Sequence, residues 1–200
     1  MKRSVFLCQY ITLLKTKDNS HTVTFEQIYN ENVKLVYNLC LQYVHNLEDA
    51  EEITQDVFIS VHDSLNKFEF QSKISTWIYR IAINKSLDFI KAKNTKKRFA
   101  FIYRLFNENN EIQYEQSHFE HPGILMENKE EIKQIFTLID QLPPNQRTAL
   151  ILNKIEKKSH SEIAEIMLLS SKAVESLIQR GKSNLQSKLK TARVDPNNIV

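Results

Sequence analysis

The chain has 200 residues, 42% of them hydrophobic and 26% charged, which is enough for one medium-sized domain or two small ones. Because it contains only 2 glycines and 4 prolines, it lacks the turn residues of a strand-rich fold, and the composition predicts an all-α protein. Two cysteines, Cys8 and Cys40, are too few for a disulfide framework or a cysteine metal site. They are expected to be buried small side chains, which suits the reducing cytoplasm.

Residues 1–24 form an N-terminal extension to which the sequence assigns no role. The opening MKRSVFLCQYITLL has the charged start and apolar run of a signal peptide, but Gln9, Tyr10 and Thr12 interrupt the run and no A-x-A site follows. The run is also too short to span a bilayer as a helix. Membrane insertion is therefore not predicted, and an extra helix or a frayed extension is expected here.

Three helices are predicted in the first half of the chain. Apolar residues recur at helical spacing over residues 25–45. Asn46 is a candidate N-cap for a second helix over residues 48–66, whose first turn carries acids as the helix dipole favours. A third helix follows a loop at residues 67–74 and is predicted to end around Lys93. These helices predict a first domain that ends near residue 98.

A change of composition separates this first domain, residues 25–98, from a second domain, residues 129–192. Residues 99–128 mix scattered aromatics with Asn, Gln and Glu and show no clear period, which predicts a flexible acidic linker. Acidic residues dominate residues 108–142, whereas Lys and Arg dominate residues 143–193. A basic segment behind an acidic one suggests that the C-terminal part contacts nucleic acid.

Four helices are predicted in the second domain. The first runs from about residue 130 to 142 and stops at Pro143 and Pro144, since proline cannot continue a helix. The second covers residues 145–155. Ser159 and Glu162 have the spacing of a capping box and open a short third helix. That helix ends at Met167 or Leu168, and the last helix begins after a tight turn.

A short helix, a tight turn and a longer helix over residues 171–190 form the outline of a helix-turn-helix motif. One side of the last helix is apolar and can pack on the short helix. The other side offers donors and acceptors suited to base edges and phosphates. Its residues are Lys172, Glu175, Ser176, Gln179 and Arg180. Any amphipathic helix with a solvated face shows the same period, so the pattern alone leaves both interpretations open.

The third helix carries a polar row on an otherwise apolar surface. A helical wheel places five residues within one narrow arc: Trp77, Arg80, Asn84, Asp88 and Lys91. Tryptophan can stack on an unpaired base, an amide can hydrogen-bond to it, and arginine can neutralise the backbone. The preceding loop, residues 68–73, could hold a base turned out of the duplex. Alternatively, Trp77, Phe68 and Phe70 are core residues, and residue types alone do not separate these readings.

Acidic residues gather on one face of the second helix. Asp49, Glu52 and Asp56 lie apart from the core stripe that Ala50 and Ile53 begin. Such a face repels phosphate but can dock a basic protein surface. A simple solvated face is the plainer interpretation of a charge run taken alone.

Four motifs occur in order along the chain: DAEEITQDVF (49–58), STWIYRIAINKSLDF (75–89), LPPNQRTALIL (142–152) and SHSEIAEIMLLSSKAVESLIQRGKSNL (159–185). In this order and spacing they resemble the extracytoplasmic-function (ECF) sigma factors, small two-domain members of the bacterial sigma-70 family. The resemblance implies a sigma-2-like helical bundle joined by the linker to a sigma-4-like helix-turn-helix domain. It also implies a cytoplasmic protein that directs promoter-specific transcription initiation, with no catalytic residue, cofactor or metal.

The resemblance assigns roles that the residue patterns leave open. The residues matching the surface that docks on the clamp helices of the largest polymerase subunit are Asp49, Glu52, Gln55 and Asp56. The residues matching the element that opens and reads the −10 promoter element are Phe68, Phe70, Lys73, Trp77, Arg80, Asn84 and Lys85. The polar face of the last helix matches the reader of the −35 element. Core RNA polymerase, including the flap of its second-largest subunit, and promoter DNA are the implied partners, and an anti-sigma factor is a partner common in the family.

Two residues depart from the family pattern. Phe70 stands where the −10 loop often has glycine, and Leu168 stands where the helix-turn-helix turn often has glycine. A residue at this turn commonly takes a positive φ, which costs leucine about 1–2 kcal/mol.

The sequence leaves two other classes of function as alternatives. An autonomous helix-turn-helix regulator with a helical sensor domain would bind duplex DNA alone, but it leaves the acidic face and the Trp77 row unexplained. A metalloenzyme is disfavoured because His118 and His121 are the only notable histidine pair and a third ligand is not evident.

Overall fold

The computed structural model of the protein describes residues 24–69, 71–106 and 129–194, and within these ranges every regular element is a helix, which confirms the predicted fold class. The elements are α1 (Phe25–Val44), α2 (Leu47–Leu65), α3 (Ile74–Phe106), α4 (Lys129–Asp140), α5 (Pro144–Leu150), α6 (His160–Met167) and α7 (Ser171–Val194). The N-terminal extension up to residue 23, Phe70 and residues 107–128 of the predicted linker lie outside the described ranges. In the described part of the chain, no helix is both long and apolar enough to cross a membrane.

Helices α1, α2 and α3 pack against one another as the N-terminal unit. Their contact surfaces carry fully buried aliphatic residues, among them Leu39, Val57 and Ile78. Asn46 caps α2 as predicted, because its side-chain oxygen accepts a hydrogen bond of 2.8 Å from the backbone N–H of Asp49. The Asn46 cap therefore fixes the start of α2, close behind the end of α1.

Helix α3 is longer than predicted. It continues to Phe106 and does not end near Lys93, so residues 99–106 are helical and the prediction of a linker without regular structure is wrong there. The segment after Lys93 contains no glycine or proline and is rich in Lys and Arg, which are good helix formers. Without a breaker the helix simply propagates.

Helices α4 to α7 form the C-terminal unit, in which α7 packs against α4, α5 and α6. Pro144 is the first residue of α5, a position where its missing N–H costs nothing. The predicted helix over residues 145–155 is instead α5 followed by a π-helical turn, Ile151–Ile155, which closes with a 3.0 Å hydrogen bond from Glu156 N–H to Ile151 O. Gly181 lets α7 approach α5 closely, since a Cβ there would lie 3.0 Å from Leu150 Cδ1.

The helix-turn-helix has the predicted outline. Ser159 and Glu162 form the capping box of α6, with the Ser159 N–H donating to Glu162 Oε2 at 2.8 Å. Leu168 ends α6 at φ 56° and ψ 43°, so the turn takes the left-handed conformation that the glycine position implied. Helix α7 starts three residues later, at Ser171.

The two units pack on each other. Helix α3 contacts α6, and the buried apolar residues of both units belong to one contiguous cluster. The N-terminal and C-terminal units therefore share an interface, at which Tyr43 of α1 contacts Thr148 and Arg147 of α5.

Candidate nucleic-acid interface

The predicted reading face of α7 is open to solvent. Four of its five residues are exposed and Ser176 is half-buried, while Val174 and Ile178 on the opposite side are buried. The guanidinium of Arg180 donates to Ser176 Oγ at 2.9 Å, so this charge lies along its own helix. A short local bond of this kind can be exchanged for a base edge or a phosphate at small cost, because it is fully solvated. The exposed residues are Lys172, Glu175, Gln179 and Arg180.

The head of the polar row on α3 is an aromatic pair. The rings of Trp77 and Phe68 stack with centroids 4.6 Å apart and planes inclined by 24°. Both residues are half-buried, and Trp77 packs on the edge of the core. Trp77 is therefore neither a buried core residue nor a fully exposed base-stacking residue, because its indole is half-buried. Further along the row, Asn84, Asp88 and Lys91 are exposed.

Two other members of the proposed −10 set face helix α6. Arg80 donates to the backbone carbonyl of Glu165 from Nη2 at 2.8 Å and from Nε at 3.3 Å. Lys73 lies close enough to Glu162 to affect its titration. Hydrogen bonds from Ser159 hold the pKa of Glu162 below its usual value, and the charges of Lys158 and Lys73 add to that effect. Lys85 is half-buried.

The acidic face of α2 is mostly accessible. Glu52 and Asp56 are exposed, and Gln55 is half-buried. Asp49 forms an ion pair with Lys93 of α3, which partly neutralises it. The predicted core stripe on the opposite side of α2 is confirmed, since Ala50, Ile53, Val57 and Val61 are all buried. The face therefore presents the exposed carboxylates of Glu52 and Asp56.

Polar contacts between the two units were not predicted from the sequence. Tyr43 is 1% exposed, and its hydroxyl donates to Thr148 Oγ1 at 2.9 Å. Arg147, 5% exposed, donates from Nη2 to the Tyr43 carbonyl at 2.6 Å and pairs with Asp140 at 2.8 Å. Glu156 accepts from both Gln42 and Tyr79. One sequence signal could have indicated these contacts. Arg147 lies inside the apolar run of the third motif, where burial of an unpaired charge would be costly.

Three buried groups titrate outside the physiological range. Burial raises the pKa of the Cys40 thiol to about 11 and that of Tyr43 to about 12. Burial also raises the pKa of Tyr79, and its hydrogen bond to Glu156 raises it further. Cys40 is therefore protonated and unreactive at neutral pH. In the described part of the chain no three His, Cys, Asp or Glu side chains are placed to hold a metal ion, and His118 and His121 lie outside it.

Comparisons with known proteins match both units. The family model of Sigma-70 region 2 matches residues 28–96, and that of Sigma-70 region 4 matches residues 132–185. The chain is 29% identical to the ECF RNA polymerase sigma factor SigW of Bacillus subtilis, over 90% of this chain and 95% of that protein. It is 29% identical to the RNA polymerase sigma-H factor of Pseudomonas aeruginosa, over 77% of this chain and 80% of that protein.

The fold is also that of two solved structures. The sigma factor RpoE of Bartonella quintana, in complex with the anti-sigma factor NepR, matches with a TM-score of 0.57 and 20% identity, over 86% of this chain and 98% of that chain. CnrH in complex with the cytosolic domain of CnrY matches with the same TM-score and identity, over 84% of this chain and 88% of that chain.

The N-terminal unit matches Sigma-70 region 2 and the C-terminal helix-turn-helix unit matches Sigma-70 region 4, which defines a two-region transcription initiation factor. The two matched regions together cover more than half of the chain, which belongs to the ECF group of the sigma-70 family. It is thus an RNA polymerase sigma factor for promoter-specific transcription initiation. This replaces the alternative of an autonomous regulator, because both units match regions of the sigma-70 family.

Proposed function

We propose that promoter recognition is divided between the two units of this sigma factor. The polar face of α7 reads the −35 element as duplex DNA, and the Trp77 row of α3 holds the opened strand of the −10 element. The acidic face of α2 docks on the clamp helices of core RNA polymerase. The domains that carry these roles are residues 25–98 and 129–192. The protein contributes positioning and binding, without catalytic chemistry, in the cytoplasm where the polymerase works.

The observation that carries this proposal is the exposed polar face of α7 above the left-handed turn at Leu168. A recognition helix must project beyond its own unit to enter a major groove, which is about 12 Å wide. Gln179 and Arg180 are exposed and suit base edges, and Lys172 near the start of the helix suits a phosphate.

The −10 role rests on the combination of groups along α3. An aromatic pair at the head of the row offers a stacking platform, and the exposed Asn84 offers both a donor and an acceptor to a base. The tail of the helix carries exposed lysines, including Lys91 and Lys93, which favour the phosphate backbone. Such a surface suits single-stranded DNA better than duplex DNA, because stacking requires an unpaired base.

Docking on polymerase rests on Glu52 and Asp56, which are free to meet basic side chains. The flap of the second-largest subunit is proposed as the contact of the C-terminal unit. One solved structure of the same fold is a complex with an anti-sigma factor, and a partner of that class is proposed for this chain.

The −10 assignment is tested with Asn84→Ala in a reconstituted holoenzyme. Loss of one base contact of about 1–3 kcal/mol should reduce the formation of open complexes by roughly fivefold to a hundredfold, measured by permanganate reactivity of the melted strand. Binding to a −35 duplex fragment should not change, since Asn84 lies on the other unit.

Asn94→Ala is the matched control, because Asn94 is an exposed asparagine of the same helix outside the row. Open-complex formation should be unchanged in this variant. An equal loss in the Asn84 and Asn94 variants, or an equal loss of −35 binding, would contradict the assignment.

A further inference from the structure

We propose that Glu175 makes this sigma factor selective for a cytosine in the −35 element, because its carboxylate accepts a hydrogen bond from the exocyclic amine of that base in the major groove. This inference rests on the proposed role of the polar face of α7. Glu175 then decides the identity of one base pair and disfavours the other bases at that position.

Glu175 is an acid on a helix that is otherwise basic. The sequence of α7 contains six Lys and Arg residues, and Glu175 is its only acid. The residue is exposed. Within the part of the chain that the structure describes, its side chain has no ion pair or hydrogen bond, although Lys172 lies one turn earlier. Glu175 therefore brings an unneutralised charge to the surface proposed to meet DNA.

The residues of the polar face form two rows along α7. Lys172, Glu175 and Gln179 recur at intervals of three and four residues, so they form the first row. Ser176 and Arg180 form the second row and bond to each other, since Arg180 Nη2 donates to Ser176 Oγ at 2.9 Å and Nε donates to the Ser176 carbonyl at 3.3 Å. Arg180 is thus held along the second row and does not neutralise Glu175.

A carboxylate at a DNA-reading surface is unfavourable unless a base offers it a donor. The phosphates repel it, so Glu175 lowers the affinity of α7 for DNA in general. In the major groove, cytosine and adenine present amine donors, whereas guanine presents O6 and N7 and thymine presents O4, all of which are acceptors. An ionised carboxylate can only accept. Guanine and thymine are therefore disfavoured opposite Glu175.

Cytosine fits Glu175 better than adenine does. Adenine presents the acceptor N7 beside its amine, which suits a side chain that both donates and accepts, such as the Gln179 amide. Cytosine presents its amine without an N7 acceptor on the same base. The first row thus selects cytosine at Glu175 and adenine at Gln179. Four residues of helix rise about 6 Å and one base step rises about 3.4 Å, so the two base pairs lie within about two steps of each other.

The base preference is tested by selection with the reconstituted holoenzyme. The target is a pool of duplexes with a randomised window upstream of a pre-melted bubble of random sequence, and the bound fragments are sequenced. The unchanged protein should enrich a cytosine within about two steps of an adenine. Glu175→Ala should lower the enrichment of that cytosine about tenfold, since one base-edge contact is lost. Glu175→Gln should change the preferred base there to adenine, because an amide both donates and accepts.

Two control variants accompany this selection. Glu165→Ala removes an exposed carboxylate from α6, the other helix of the helix-turn-helix, so it matches the change of charge and should leave every base preference unchanged. Gln179→Ala should lose the adenine and keep the cytosine. Circular dichroism establishes that each variant is folded.

The contact itself is tested by removing the amine from the DNA. In the selected duplex, 2-pyrimidinone replaces the cytosine and lacks only the exocyclic amine. Holoenzyme with the unchanged protein should bind this duplex about tenfold more weakly than the cytosine duplex, whereas holoenzyme with Glu175→Ala should bind both equally. A duplex with guanine at this position should bind more tightly to Glu175→Ala than to the unchanged protein, because the repulsion between acceptors is lost.

The outcomes separate this inference from the proposed function. If Gln179→Ala changes one selected base but Glu175→Ala changes none, the inference is overturned while the −35 role of α7 stands. If the position that depends on Glu175 prefers any base other than cytosine in the unchanged protein, or if removal of the amine weakens both proteins equally, the inference is also overturned. If neither Gln179→Ala nor Glu175→Ala alters the selected sequence, the −35 role fails and the inference fails with it. Loss of the cytosine preference in Glu175→Ala, together with its insensitivity to the amine, supports the inference.

Discussion

Leu168 shows how a single residue can hold an unfavourable backbone conformation. Its φ of 56° and ψ of 43° lie in the left-handed region, where a side chain with a Cβ is strained. The side chain is 72% exposed, so packing offsets little of that strain. The backbone is held there by the end of α6, since the Leu169 N–H donates to the Ala164 carbonyl at 3.0 Å.

Leu168→Gly should therefore stabilise the protein by about 1 kcal/mol, because glycine reaches this conformation without a Cβ clash. Urea unfolding of the full chain measures the change in the free energy of unfolding. Leu169→Gly is the matched control, since Leu169 does not have a positive φ, and it should lower stability. A loss of stability in the Leu168 variant would show that the exposed leucine makes a contact stronger than the strain.

Trp77 has a contact that its spacing along the helix does not predict. Its spacing from Arg80 and Asn84 was readable from the sequence, but its stacking on Phe68 was not. The residue types alone allow both aromatics to be either core residues or base-stacking residues. The half-buried pair combines the two, because it packs on the core edge while it heads an exposed polar row.

At the scale of elements, the Asn46 cap and the Ser159–Glu162 capping box were the most reliable local signals. The Ser159 hydroxyl accepts from the Glu162 backbone N–H at 3.3 Å, and the Glu162 carboxylate accepts from the Ser159 N–H. Such reciprocal bonds satisfy donors that a helix start otherwise leaves without a partner. By contrast, the predicted end of α3 near Lys93 was wrong. No proline, glycine or cap residue marks that position, so the helix continues to Phe106.

Ser159→Ala should lower the free energy of unfolding by about 1 kcal/mol at neutral pH. Glu162 has a folded-state pKa below its ordinary value of 4.5, so its charged form contributes stability above pH 4.5. That contribution is lost as the pH falls from 4.5 through the lowered pKa, and the effect of Ser159→Ala should shrink over the same range.

Urea titrations at neutral pH and at several values below pH 4.5 measure this change. The exposed Ser183 in the middle of α7 supplies the control, since alanine is the better helix former there and Ser183→Ala should not destabilise. A cost of Ser159→Ala that stays constant as the carboxylate titrates would contradict the role of Glu162 in the cap.

At the scale of the whole molecule, the acidic face of α2 is the surface expected to meet core polymerase. Asp56→Lys should abolish docking in a pull-down with core polymerase, because it places a cation where a basic partner surface approaches. The fold should be unchanged by circular dichroism, since Asp56 is exposed. Glu31→Lys reverses an exposed acid on α1 and should dock normally. Equal retention of both variants on polymerase would place the docking surface elsewhere.

The sequence by itself determined the helices that have local start and stop signals, the core stripe of α2, the outline of the helix-turn-helix and the polar row of α3. Each of these depends on residues within one or two turns of each other, whose spacing is set by the helix itself. Only the tertiary structure decided which parts of those surfaces are accessible to solvent and which contact the other unit. Arg80 bonds to a carbonyl 85 residues away, and Tyr79 bonds to a carboxylate 77 residues away. Contacts between distant elements depend on how the two units pack, and helical periodicity carries no information about that packing.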